Sequence, residues 1–426
     1  MIPGAGSSAL VVGLGLSGVA LARFLHDRGV KVTVTDQRPL EKLSAFAARL
    51  PEGTEVVAGA HGTEILGGHQ ALYASPGVPW DSELLAEARR RGLEVSSEMD
   101  LFFQLCPAEI VAITGTNGKT TTTALTGRVL AQGERPVLVG GNIGETVLDR
   151  LAELTDQHWV VLELSSFQLE SITEPRPKVA VLLNITPDHL DRHHTMDAYV
   201  EAKARVCTFQ EDGDWAVLNG RDQHCRAIAE RTRTAVVWFD QHQPIPPMPV
   251  PGRHNLENAQ AAAAVGRVAG LNDGQIEAAI AGFPGVEHRL ELVGEWGGVR
   301  WYNDSKATNP DAAEVGLSGF EGSPVILIAG GYGSGFALGP WLAAVRRSTQ
   351  AAVLIGASAD LLESELAGHP VRRAGSIEDA VDAAAELAEP GGVVLLSPGY
   401  KSYDMFESYE DRGRRFKAAV RTRNGV

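Results

Sequence analysis

Cysteine is scarce in this chain of 426 residues: there are three, Cys106, Cys207 and Cys225, and no C-x-x-C spacing among them. An odd number without that spacing excludes a disulfide framework and a cysteine zinc site, and fits the reduced thiols of a cytoplasmic protein. Basic charge is short as well. Lys and Arg number 38 against 53 Asp and Glu, a formal net charge of −15, which argues against nucleic acid and against an anionic membrane surface as partners. Long apolar runs are missing too. No window reaches the roughly 18 apolar residues of a membrane span, and MIPGAGSSALVVG has no basic segment ahead of an apolar one. A globular protein of about three domains is expected at this length; it is taken to be cytoplasmic and a monomer.

What recurs instead is an alternation of short β-branched runs with longer amphipathic segments. The runs are ALVVGLG, VKVTVTD, ALYASPG, EIVAITG, WVVLELS, VAVLLNIT, AVVWFD, VILIAGG, AAVLIGA and GVVLLSPG. Strands apolar on both faces and separated by helices make parallel sheets covered by helices, so the fold class is α/β. In such sheets the chemistry gathers at the carboxyl ends of the strands. Boundaries near Val95–Ser96 and Pro284–Gly285 divide the chain into 1–96, 97–285 and 286–426. A stretch with Pro244, Pro246, Pro247, Pro249 and Pro251 cannot form a regular element. It reads as a loop inside the middle domain, with a linker as the alternative.

The segment ITGTNGKTT, Ile113 to Thr121, leaves an apolar strand and enters a helical pattern. Backbone N–H groups and a helix N-terminus then point at one place, which is how a protein holds a polyphosphate. Lys119 reaches the terminal phosphates and Thr120 offers a hydroxyl to Mg²⁺. The usual spacing would need glycine at Ile113, so this is a shorter variant, Gly115-x-x-Gly118-Lys119-Thr120.

Two further groups stand at strand ends. Gly13-Leu14-Gly15-Leu16-Ser17-Gly18, with Asp36 ending the next strand, is a dinucleotide fingerprint. Its glycines admit a pyrophosphate and its carboxylate takes ribose hydroxyls. Alone it suggests NAD; it equally fits another nucleoside diphosphate, with Ser75-Pro76-Gly77 at the rim. In WVVLELSSFQLE, Glu163 ends a buried strand beside the phosphate loop, placed to hold Mg²⁺ directly or through water. Asp188 and His189 arrive at the same edge, whereas His193 and His194 read as ordinary histidines.

The ordered motifs GTNGKTTT, GGNIGET, LELSSFQLE, NITPDHLDRH, EAKARV, GRHNLENAQAAAA, EHRLE, NDSKATNPDAA and SPGYKSYDMFESYEDRG cover nearly the whole chain and resemble the Mur ligase family. LSSFQLE with NDSKATN resembles its branch that joins D-glutamate to UDP-N-acetylmuramoyl-L-alanine in peptidoglycan precursor synthesis. The resemblance implies a Rossmann-like UDP-binding domain (1–96), a central ATPase (97–285) and a Rossmann-like amino-acid-binding domain (286–426). It implies ATP, two Mg²⁺ ions and CO₂ fixed as a lysine carbamate. Phosphates and nucleotide would meet Gly115, Thr116, Asn117, Gly118, Lys119, Thr120 and Thr121, with Asn255 and Asn258 toward adenine, Arg289 at the γ-phosphate and Asp304 at the ribose. Metal would be held by Thr120, Glu163, His189 and carbamylated Lys203, and Lys306 would assist phosphoryl transfer. The UDP substrate would meet Gly15, Leu16, Ser17, Asp36, Ser75, Gly77, Asn142, Ser165, Gln168 and His189. Thr308, Ser402 and Tyr409 would surround the amino acid.

Family members commonly carry an aspartate and a lysine where this chain has Gly333 and Ser334, and a small residue at Lys401. Lys401 is therefore expected to replace the lost cation. A nicotinamide oxidoreductase would explain Gly13 to Gly18 but leaves Lys119, Glu163 and His189 idle. A folate-type or other amino-acid ligase would share the ATP chemistry. A non-catalytic scaffold would need a lost catalytic residue, and none is missing. With the ATP loop in the middle domain and Asp304 and Lys306 in the last, closure over the substrates is expected.

Overall fold

The computed structural model describes residues 4–60, 62–142, 146–241, 245–246, 248, 250–333 and 335–426. Strands β1 (Ser8–Val12), β2 (Lys31–Asp36), β3 (Glu55–Ala58), β4 (Ala71–Ala74) and β5 (Glu94–Ser97) form a parallel sheet in the order β3-β2-β1-β4-β5. Val11, Val34 and Tyr73 face one side, against Val19, Leu21 and Leu25 of the helix Leu16–His26. Leu10, Val12 and Leu72 face the other, against Leu85 and Ala88. Alternate residues of one strand are thus buried on opposite faces, the physical content of a doubly covered sheet.

A second parallel sheet comprises β6 (Glu109–Thr114), β7 (Val137–Gly141), β8 (Trp159–Glu163), β9 (Val179–Leu182), β10 (Trp215–Leu218) and β11 (Ala235–Trp238), ordered β11-β10-β9-β6-β8-β7. The register pairs Ile113 with Glu163 and Thr114 with Leu182. The ends of β8 and β9 are thereby fixed beside the start of the phosphate loop. A third sheet, β12 (Glu291–Trp296), β13 (Val299–Asn303), β14 (Val325–Ala329), β15 (Ala351–Leu354), β16 (Val371–Arg373) and β17 (Val393–Leu396), runs β12-β13-β17-β14-β15-β16. It is parallel except for the hairpin β12–β13.

The chain divides into two compact units, Met1–Ile245 with Glu257–Ala279, and Pro246–Leu256 with Ile280–Val426. The first holds two sheets and the second holds one. The chain crosses from one to the other at Ile245–Pro246, inside the proline-rich stretch, of which Pro244, Pro247 and Pro249 lie outside the described residues. No helix among the described residues is long and apolar enough to cross a membrane.

All ten strands expected from the sequence are present. Those not anticipated are β3, β5, β7, β10, β12, β13 and β16. Most are edge strands or half-exposed, with charged or glycine residues that break an apolar run.

Candidate active site

In the first unit, β1 ends in the turn at Gly13, whose φ is 96°. A Cβ there would lie 2.9 Å from Cβ and Oγ of Ser75, and one on Gly18 would lie 2.1 Å from the Gly13 carbonyl oxygen. Glycine is needed at both, so that strand, helix and the 75–79 segment can approach. Ser75 Oγ donates to the Gly13 carbonyl at 2.9 Å. Beside this turn lies a cavity of about 610 Å³ lined by Gly13, Gly15, Asp36, Arg38, Ser75 and Gly77, among others. Leu16 is exposed in the first helical turn, and the Ser17 hydroxyl is bound to the buried Glu98 carboxyl.

Asp36 differs from the fingerprint's usual acid. Its carboxylate accepts from the Leu14 N–H at 2.8 Å and from Arg38 at N (2.9 Å), Nε (2.9 Å) and Nη2 (2.7 Å). Burial disfavours its charge, but the Arg38 and backbone N–H groups outweigh that and hold the pKa at about 2. Both oxygens are committed, so Asp36 anchors Arg38, whose guanidinium lines the cavity. Arg38 was not anticipated; its one signal was its place two residues after the strand-ending acid.

The phosphate loop follows β6. Gly115 (φ 154°) and Gly118 (φ 86°) adopt the left-handed half of conformational space, and Gly118 caps the helix Lys119–Leu130. Asn184, at the end of β9, brackets the loop. Its carbonyl accepts from Thr116 N–H at 2.9 Å, its Oδ1 from Asn117 N–H at 2.9 Å, and its Nδ2 donates to the Asn117 carbonyl at 3.2 Å. Lys119 Nζ donates to the carbonyls of Gly115 (2.9 Å) and Thr116 (2.8 Å). Thr120 is buried at the first helical turn, together with Thr121. Asn258 presses on this turn: Thr122 Oγ1 donates to its Oδ1 at 3.2 Å, and a Cβ on Gly118 would lie 2.3 Å from that atom.

Two buried ionisable side chains converge on this loop. Glu163, at the end of β8, is 3% exposed. Its Oε1 accepts from Asn142 Nδ2 at 3.1 Å, while its Oε2 has no partner among the described residues. Lys203, on the helix Met196–Thr208, is 1% exposed; its Nζ donates to the Gly115 carbonyl at 2.8 Å and lies 4.7 Å from the centre of the Tyr199 ring. Burial, and after it the charge of Lys119, pushes the Lys203 pKa well below its usual value. His189 sits in a left-handed turn, φ 51°, half-exposed, with its ring 5.0 Å from that of Phe167. Ser165 and Gln168 close a capping box on the helix Ser166–Ser171, so the Ser165 hydroxyl is already engaged. Of GGNIGET, Ile143, Gly144 and Glu145 lie outside the described residues.

In the second unit the segment after β13 carries Asp304, 4% exposed, which accepts from Ser397 Oγ at 2.7 Å and Leu290 N–H at 3.3 Å. Burial raises its pKa to about 7. A ribose contact would require this carboxyl to leave Ser397 or to share it. Arg289 precedes Leu290, and the Lys306 N–H donates to the His288 carbonyl at 3.0 Å. Asn255 Nδ2 donates to the Pro251 carbonyl at 2.7 Å.

Arg412, fully buried on the helix Tyr409–Arg423, was missed by sequence reasoning. It donates to Ser305 Oγ (2.9 Å), the Ser305 carbonyl (2.8 Å) and the Tyr400 carbonyl (3.1 Å). It therefore ties the segment of Asp304, Lys306 and Thr308 to the segment of Lys401 and Ser402. Tyr409 joins through its carbonyl, which accepts from Ser305 Oγ at 2.8 Å. Lys401 is exposed and pairs through its backbone with Tyr332, while Ser402 is buried. Ser334 lies outside the described residues.

Comparison with known proteins accounts for this arrangement. Residues 7–97 match the MurD-like Mur ligase N-terminal domain, 113–245 the Mur ligase middle domain and 288–399 the Mur ligase glutamate ligase domain. A UDP-N-acetylmuramoylalanine–D-glutamate ligase of Koribacter versatilis is 41% identical over 98% of this chain and 97% of its own length. One of Anaeromyxobacter dehalogenans is 42% identical over 97% of each. Among solved structures, the UDP-N-acetylmuramate–alanine ligase MurC of Thermotoga maritima shares the fold at 18% identity, with a TM-score of 0.61 over 99% of this chain and 100% of its own. The MurF ligase of the same organism, in complex with ADP, has a TM-score of 0.60 at 14% identity over 99% of this chain and 96% of its own. Matched along nearly its full length, the chain belongs to the Mur ligase family, in the branch of the UDP-N-acetylmuramoylalanine–D-glutamate ligases.

Proposed function

We propose that this protein joins D-glutamate to UDP-N-acetylmuramoyl-L-alanine at the expense of ATP, in cytoplasmic peptidoglycan precursor synthesis. The observation that carries the reading is the convergence of Glu163 and the buried Lys203 on the Gly115–Thr120 loop, beside a sheet whose cavity suits a nucleoside diphosphate. The relatives' names and the ADP bound by a structural neighbour point the same way.

A carboxylate is a poor electrophile. The alanyl carboxylate attacks the γ-phosphorus of ATP, the bond to the bridging oxygen breaks, and ADP leaves an acyl phosphate. The amine of D-glutamate then adds to the acyl carbon, loses a proton, and phosphate departs as the amide forms. Both steps gather negative charge, so preplaced cations and N–H donors lower the barrier. In this reading Lys119 and the N–H groups at the start of its helix hold the phosphates, since those of Thr116 and Asn117 are engaged by Asn184, and Arg289 and Lys306 meet the transferring group. Asn255, Asn258 and Asp304 serve the nucleoside, and Asn142, Gln168 and His189 orient the muramoyl-alanine. The working parts are 1–96, 97–285 and 286–426, in a monomer.

The residues fit Mg²⁺ and a lysine carbamate. Glu163 Oε2 is a buried anionic oxygen without a partner among the described residues, a donor suited to a hard cation. Burial favours the neutral amine of Lys203, the form that adds to CO₂ with loss of a proton, and the carbamate would supply a further hard oxygen in a ligand set with Thr120 and His189. Bound Mg²⁺ would offset the charge of the phosphates during transfer.

Lys401 is assigned to a carboxylate of the incoming glutamate, alongside Thr308, Ser402 and Tyr409. Its backbone pairing with Tyr332 sets it against the glycine-rich loop, and its ammonium group has no partner among the described residues. The test is ADP release with UDP-N-acetylmuramoyl-L-alanine, with and without D-glutamate. Sustained release over many turnovers requires both, because without the amine the acyl phosphate has no acceptor. A charged hydrogen bond contributes about 1.5–3 kcal/mol, so Lys401→Ala raises the KM for glutamate roughly 10- to 150-fold and leaves that for ATP unchanged. Wild-type KM in that variant removes Lys401 from the site; preference for another amino acid overturns the substrate.

A further inference from the structure

His189 occupies a left-handed turn, a geometry disfavoured for any residue with a side chain. The helix after it, Leu190–His193, is a single turn and cannot hold that conformation by its own hydrogen bonds. Asp188 Oδ1 accepts from the His189 N–H at 2.9 Å and the buried His193 ring meets Ser166 Oγ at 2.9 Å; Arg192 supplies the tether that reaches beyond this segment to the cavity wall. Its side chain is 16% exposed, and its guanidinium lies 3.4 Å from Asp81 Oδ1, 3.4 Å from the Val78 carbonyl and 3.4 Å from Glu170 Oε2. It also stands 5.3 Å over the ring of Phe167, the ring that packs on His189. Val78 lines the 610 Å³ cavity, and Asp81 stands three residues further along the same segment. One side chain therefore runs from the wall of the nucleotide cavity to the ring behind His189, through contacts long enough to shorten when the wall is pressed.

We propose that Arg192 is a positioning residue that couples filling of the cavity to the placement of His189. This rests on the reading of the cavity as the site of the UDP substrate. A ligand that fixes the 75–82 segment fixes the Val78 carbonyl and the Asp81 carboxylate, and through Arg192 the Phe167–His189 pair. The substrate thus prepares the group that will orient it.

The test compares Arg192→Met, Arg192→Lys, Asp81→Asn and the Arg192→Met/Asp81→Asn double variant in the full chain. Arg192→Met raises the KM for UDP-N-acetylmuramoyl-L-alanine about tenfold and lowers kcat about tenfold, while the KM for ATP stays within about twofold. Arg192→Lys restores part of both, and the double variant is no worse than Arg192→Met alone, as expected of residues acting through one contact. An equal rise in the KM for ATP, additive effects, or a lowered Tm with intact kinetics overturns the proposal. If the wild-type protein fails to bind the UDP substrate, the reading of the cavity falls; if it binds and the variants match it, the coupling alone falls.

Discussion

At the scale of single residues, Lys203 carries the sharpest expectation. The charged form of this amine is opposed by burial and then by Lys119, which suits the carbamate proposed for it. Lys203→Ala therefore abolishes nearly all activity, and short carboxylic acids added to the assay restore part of it by supplying the missing oxygen. A fully active alanine variant would remove the carbamate from the account. Lys119, Thr120 and Glu163 stood out in the sequence because each lies at or just beyond a strand end, whereas Lys203, inside the helix Met196–Thr208, stood out only through the family resemblance. Arg38, Asn184 and Arg412 did not stand out. Asn184 looks like any polar residue closing an apolar strand, and Arg412 like one more charge on a helix with basic residues on both sides; only the fold shows what they hold.

At the scale of elements, the first helix depends on one missing methyl group. A Cβ on Gly18 would lie 2.1 Å from a backbone oxygen, and backbone cannot step aside as a side chain would. Gly18→Ala must push the helix Leu16–His26 off β1, at a cost of about 1–3 kcal/mol, and shift Gly15, which lines the cavity at the start of that helix. Urea titration should show the loss of stability, and equilibrium binding a weaker grip on the UDP substrate; an unchanged midpoint would show that the strand and helix tolerate the shift. The buried parallel strands were readable from sequence for the reason that this contact is tight: both faces are covered, so the runs are continuous. Edge strands such as β3 and β16 keep one side in water, and their mixed composition looks like loop.

At the scale of the whole molecule, the chain forms two compact units, with the cavity beside Gly13 and the Gly115–Thr120 loop in the first and Lys306, Lys401 and Ser402 in the second. A ligand stabilises the unit that binds it by about 2.7 kcal/mol at a hundred times its Kd. Scanning calorimetry should therefore show two transitions, with UDP-N-acetylmuramoyl-L-alanine moving only that of the first unit. A single transition that shifts as a whole would mean that the two units unfold together.

The bracket that Asn184 places on the phosphate loop has a consequence for discrimination. Two of the loop's N–H groups are already engaged, so a polyphosphate meets a seat built from the start of the helix and Lys119, shaped in advance and needing little ordering. Such a seat grips a nucleotide by the phosphates common to its spent and unspent forms. Telling fuel from ash, and letting the ash go, must then fall to residues outside the loop.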